Sequence, residues 1–86
     1  MLTIFAVSDS IGETAEQVAE AAASQFPDQV EVRRIPYVKS LEDVEELMRD
    51  IKNCEQAMIV STIITVNVRE YLTQKCVESN LSVINV

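Results

Sequence analysis

Short apolar runs alternate with segments of helical spacing along the whole of this 86-residue chain, and that alternation limits the fold more than any other feature. Leu2 to Val7 is an apolar run too short for an independent helix, of the kind found in a central parallel strand covered on both faces. Ser10 followed by Glu13 predicts a capping box, after which Ile11, Ala15, Val18, Ala22 and Phe26 recur at helical spacing until Pro27 stops the helix. From Val30 to Arg33 apolar and charged residues alternate, which predicts an edge strand with one wet face ending near Ile35 and Pro36. Ser40 then caps a second helix with Glu42 and Asp43 beside the positive end of its dipole and a core face of Leu41, Val44, Leu47, Met48 and Ile51, with Asn53 as its stop. Ala57 to Ser61 reads as a third strand and Thr62 to Thr65 as a connection. A third helix follows with Val68, Leu72 and Cys76 on one side, ended by Asn80, and Ser82 to Val86 reads as a fourth strand.

Strands separated by helices require right-handed crossovers and a parallel sheet. Apolar first and third strands beside a half-polar second one favour the order 2-1-3-4. The expected architecture is α/β in three layers, a four-stranded parallel sheet with helices on both faces, like half of a flavodoxin or Rossmann fold. The apolar content suffices for one domain over residues 1–86 and not for two. The sequence stops inside the fourth strand with no turn, cap or polar tail after Val86. A bare edge of Val83, Ile84 and Val86 invites association, so the expectation is an N-terminal domain truncated from a longer protein.

Charge and composition remove several classes of function. Fourteen Asp and Glu against seven Lys and Arg give a net charge of −7, which repels nucleic acid. No apolar stretch approaches the ~20 residues of a membrane helix, and the N-terminus has neither the basic region nor the cleavage site of a signal peptide; a cytoplasmic location is expected. Cys54 and Cys76 lack the CxxC spacing and read as reduced structural residues, so no metal site is expected from them. The absence of His excludes His-based triads, His general bases and most zinc sites. Chemistry here falls to carboxylates, hydroxyls and backbone amides.

In an open parallel sheet the ligand crevice lies beyond the carboxyl ends of the strands. The loop after the first strand supplies Ser8, Asp9, Ser10 and Gly12, with Thr14 just beyond it, and the loop after the third supplies Ser61, Thr62 and Thr65. In the predicted order these loops face each other, and their hydroxyls and helix N-terminal amides suit a phosphate. Asp9 repels an anion unless Mg²⁺ or a basic group intervenes. The plain alternative is that Ser10 and Thr65 are helix caps, Asp9 satisfies turn amides and Gly12 permits close packing. Neither GxGxxG nor GxxxxGK[ST] is present. Arg33, Arg34 and Lys39 form the one basic cluster, either a phosphate clamp or a solvated strand end that offsets the acidic second helix. Arg69 is poorly placed for the dipole of its helix, and Tyr71 reads as packing.

The segment Val7-Ser8-Asp9-Ser10-Ile11-Gly12-Glu13-Thr14-Ala15-Glu16, then Ser24-Gln25-Phe26, Arg33-Arg34-Ile35-Pro36-Tyr37-Val38, Thr62 and Arg69-Glu70-Tyr71-Leu72 resembles the pyruvate, phosphate dikinase regulatory proteins in order and spacing. The resemblance spans essentially the whole chain, and Ser8 to Glu16 is its most specific part. It fits this branch better than the related phosphoenolpyruvate synthase regulators, and departs from it at Val66, where Pro is expected. It implies a bifunctional serine/threonine kinase and phosphorylase. Such an enzyme inactivates the dikinase by ADP-dependent phosphorylation of a threonine and reactivates it by phosphate-dependent removal of the phosphoryl group, releasing pyrophosphate. The P-loop-like nucleotide segment of that family lies later than any residue here. ADP and phosphate are therefore cofactors of the full-length family, magnesium enters only as a candidate bridge at Asp9, and none is expected to bind this portion tightly. Catalysis by this portion alone is not expected, with Asp9 as the candidate catalytic residue and Ser8, Ser10, Gly12, Thr14, Ser61, Thr62, Arg33 and Arg34 as candidate phosphate ligands. The competing expectation is a non-catalytic module for homodimerisation or docking through the fourth strand and acidic second helix.

Overall fold

The computed structural model describes residues 1–86. Strands β1 (Leu2–Val7), β2 (Val30–Ile35), β3 (Gln56–Ser61) and β4 (Ser82–Asn85) alternate with helices α1 (Glu13–Ala23), α2 (Leu41–Ile51) and α3 (Val66–Glu78). All pairings are parallel, and the sheet order is β2-β1-β3-β4, as the hydrophobic patterning predicts. Val7 stands level with Ile35 on one side and Ser61 on the other, which brings the ends of three strands to one rim of the sheet.

β1 takes the centre because its residues from Thr3 to Val7 are buried on both faces. Alternation along the strand divides them. Phe5 and Val7 join Val44, Leu47, Ile51, Ile59, Val68, Leu72 and Cys76 beneath α2 and α3. Ile4 and Ala6 meet Ala15, Ala19 and Val60 beneath α1. β2 keeps the half-wet character read from its sequence, with Glu31, Arg33 and Arg34 exposed. Tyr71 packs at the margin of the larger cluster, and its hydroxyl donates to Glu45.

α1 departs from expectation. It begins at Glu13 with Gly12 as N-cap, and no side chain caps it. The Ser10/Glu13 capping box does not form because Ser10 is held in the preceding turn, where its amide donates to Ser8 Oγ at 3.1 Å. Ile11 and Phe26 lie outside the helix and are 48% and 43% exposed. The buried stripe is made by Ala15 and Ala19, whose small side chains let the helix lie close to the sheet. Leu41 is also exposed, at the first position of α2, where the helix has not yet reached the core. α2 ends at Ile51 ahead of Asn53, and α3 starts at Val66 without the proline that the resemblance leads one to expect there.

Candidate functional site

Beyond the carboxyl ends of β1 and β3, the β1–α1 and β3–α3 loops enclose an open crevice of about 420 Å³, lined by Asp9, Ser10, Gly12, Thr14 and Thr62 with Ile64 and Val86 at its margin. A hollow of similar size at the opposite end of the sheet, among Met1, Phe26, Pro27 and Gln56, is lined by no hydroxyl side chain.

Backbone bonds hold the β1–α1 loop in place. Ser8 donates its amide to the Ile35 carbonyl at 3.0 Å and accepts from the Val38 amide at 2.8 Å, and the Ser10 carbonyl accepts from the Tyr37 amide at 2.9 Å. On the other flank the Thr62 amide reaches the Val7 carbonyl at 3.0 Å. The parallel ladder thus continues past the strand ends and stiffens the crevice floor. Tyr37 takes the left-handed region, φ 59°, where the chain turns to make its contact.

The candidate residues separate into distinct roles. Ser8 is 1% exposed, and its hydroxyl accepts from the Ser10 amide and lies 3.2 Å from Ser10 Oγ, so it braces the turn. Ser61 is equally buried, and its Oγ accepts from the Ile63 amide at 3.3 Å. Ser61 serves its loop from beneath, outside the crevice lining, while Ser8 lies at the crevice floor and Ser10, Gly12, Thr14 and Thr62 border the open space.

Gly12 is the position where backbone freedom matters. Its φ of 89° disfavours a side chain, and a Cβ there would stand 3.1 Å from Arg34 Cγ. Arg34 lies behind the loop, donating to the Ile11 carbonyl at 3.3 Å and to Glu16 Oε1 at 2.7 Å. That bond raises the Arg34 pKa and lowers that of Glu16. Arg33, one residue earlier, points to the opposite face of the sheet. There it pairs with Glu31 and lies over the Phe5 ring, 5.7 Å from its centroid. The basic cluster read from the sequence is therefore divided: strand alternation removes Arg33 from the crevice, and Lys39 turns to the ring of Tyr37. Neither Lys nor Arg lines the crevice, whereas Asp9 and Glu13 do.

Asp9 has a partner that local sequence does not reveal. Its Oδ2 accepts from the amide of Ile64 at 2.9 Å and more distantly from that of Thr65 at 3.5 Å, joining loops 55 residues apart. Thr65, the N-cap of α3, makes no side-chain capping bond of its own. Glu13 was not singled out in the sequence as a crevice residue, although its position at the start of a helix beside a hydroxyl-rich loop carries that signal.

Residues 4–86 match the kinase/pyrophosphorylase family. The chain belongs to that family. Over all 86 residues it is 79% identical to a protein of Clostridium perfringens (strain 13) that carries the name pyruvate, phosphate dikinase regulatory protein. It is 72% identical to a protein of that name from Clostridium beijerinckii and 55% identical to one from Clostridium botulinum (strain Alaska E43). In each case the whole of this chain is covered and 32% of the relative, so it spans about a third of their length. No solved structure matches. With the family known, the Ser8 to Glu16 segment that carries the resemblance is also the segment that forms one wall of the crevice.

Proposed function

We propose that this domain forms the N-terminal part of a regulatory phosphotransferase that acts on pyruvate, phosphate dikinase, and that it supplies one wall of the phosphoryl site. The observation that carries this reading is the family match over residues 4–86. In the inactivating direction ADP transfers its β-phosphoryl group to a threonine hydroxyl of the dikinase and leaves as AMP. In a separate reactivating reaction, inorganic phosphate takes that group, freeing the threonine hydroxyl and leaving as pyrophosphate. ADP would be held by the two-thirds of the relatives' length that has no counterpart here. The enzyme would act in the cytoplasm; no helix of this chain is long and apolar enough to cross a membrane.

The crevice supports a share in this chemistry. Uncapped first-turn amides at a helix start favour an oxyanion, and α1 presents such amides beside the hydroxyls of Ser10 and Thr14, with Thr62 opposite. Asp9 and Glu13 make the same space acidic, so an incoming phosphate needs compensating charge from Mg²⁺ or from a basic group outside this domain. Ser8 and Ser61 act as supports, and Arg34 buttresses Gly12.

Titration of the chain with phosphate, pyrophosphate and ADP, with and without Mg²⁺, followed by backbone amide NMR shifts, tests the reading. Shifts clustered at 8–14 and Thr62 are the expected result; a crevice silent to every ligand counts against a phosphoryl site here. A second reading, homodimerisation or docking through the edge strand, is favoured by Ile84 and Val86, 44% and 65% exposed on and beside β4. A monomer at high protein concentration counts against self-pairing.

A further inference from the structure

We infer that Asp9 is a positioning residue whose carboxylate clasps the β3–α3 loop and sets where Ile64 and the entry to α3 stand at the margin of the crevice. The two loops belong to neighbouring strands, yet each follows its strand in its own direction, β1 into α1 on one face and β3 into α3 on the other. Beyond the ladder bond from Thr62 to the Val7 carbonyl, the Asp9 carboxylate is the polar link between them.

The β3–α3 loop needs such a link. Ile63 anchors it from below, buried in the larger core, and Ser61 Oγ holds the Ile63 amide. The next residue, Ile64, is 78% exposed and packs too little to fix its backbone. Thr65 makes no side-chain capping bond. Asp9 therefore does at long range what a cap residue does locally, accepting the amides that lead into α3. Thr62 precedes the buried anchor and is already held at its amide by the Val7 carbonyl, so the clasp fixes the far end of the segment, at Ile64 and the entry to α3. That assigns Asp9 a geometric part in the crevice and leaves direct handling of an oxyanion to Ser10, Thr14, Thr62 and the α1 amides.

The inference deepens the proposed phosphoryl site and rests on it only for the ligand-binding arm of its test. The test compares Asp9→Ala and Asp9→Asn with the parent chain by amide hydrogen exchange and by phosphate titration followed by NMR. An asparagine oxygen accepts the same two amide bonds, and alanine accepts none. In Asp9→Ala, exchange at Ile64 is expected to accelerate about tenfold or more relative to β1 amides, the size of a lost carboxylate bond, while Asp9→Asn keeps most of the protection. The phosphate-induced shift at Ile64 should vanish in Asp9→Ala and persist in Asp9→Asn, with shifts at Glu13, Thr14 and Thr62 retained in both. Unchanged Ile64 exchange in Asp9→Ala overturns the clasp. An Asp9→Asn variant as impaired as Asp9→Ala in both readouts overturns it too, because charge rather than geometry would then be the requirement. If the parent chain shows no phosphate shifts while Ile64 exchange behaves as expected, the clasp stands and the phosphoryl-site reading falls.

Discussion

At the start of α2, Ser40 Oγ accepts from the Asp43 amide, and the Asp43 carboxylate takes the amides of Lys39 and Ser40 at 2.9 and 3.2 Å. At the start of α1, Gly12 has no side chain to offer, and the first turn opens onto the crevice. The two helices have the same length, and every helix start faces the same need to satisfy its leading amides. α2 meets it within four residues of its own sequence. α1 leaves the need unmet by any capping side chain, in the loop that bears the family's most specific segment. A sealed helix start serves stability, whereas an unsealed one leaves donors free for a ligand.

The comparison can be attacked most severely through the body of α2. Leu47→Ala removes a buried side chain from the larger core and should lower stability by about 2–5 kcal/mol. A chemical denaturation curve measures the loss, and phosphate-induced shifts at residues 8–14 should survive in the folded fraction. Gly12→Val strikes the unsealed end. Forcing a β-branched residue to φ 89° costs roughly 1–2 kcal/mol, and it should abolish the phosphate response altogether, because the new side chain also displaces Arg34. A Gly12→Val variant that still responds to phosphate would break the distinction between the two helix starts. Ser40→Ala sharpens it from the other side: loss of this cap should cost about 1 kcal/mol, read as a lower denaturation midpoint, with the phosphate response unaltered.

The smallest effect concerns pH. Bonds from the Lys39 amide and then from Ser40 hold Asp43 below the ordinary aspartate value of 3.8. A carboxylate with a depressed folded-state pKa contributes stability that is present above its unfolded value and lost as pH falls through the folded one. Asp43→Asn should therefore be less stable than the parent chain at neutral pH and converge with it in acid, as followed by denaturation midpoints from neutral pH to below 3.8.

How much of this was readable beforehand depends on how far each signal travels along the chain. The strand order followed from the apolar content of β1 and β3 beside the charged alternation of β2, and Ser40 announced the α2 cap, because both signals are confined to a few consecutive residues. Ser10 and Glu13 carried an equally good local signal for a cap, but the turn captured Ser10 through Ser8 and handed the N-cap position to Gly12. Arg33 and Arg34 read as one basic cluster although period-two geometry sends adjacent strand residues to opposite faces; attention to that period would have separated them. The partner of Asp9 had no local signature at all, since the amides it accepts lie 55 residues away and are chosen by the adjacency of β1 and β3.

The central place of β1 also has a consequence in time. A ribosome releases Leu2–Val7 before the other strands of this sheet, yet one of its two flanking strands, Gln56–Ser61, emerges only after α1, β2 and α2. During that interval β1 can pair on one side alone, with the thin alanine surface of α1 on one face and, once it emerges, the apolar stripe of α2 on the other. Distant pairings of this kind slow folding and leave apolar strands open to aggregation. The strand that anchors the finished crevice is therefore, during synthesis, the segment longest in need of protection.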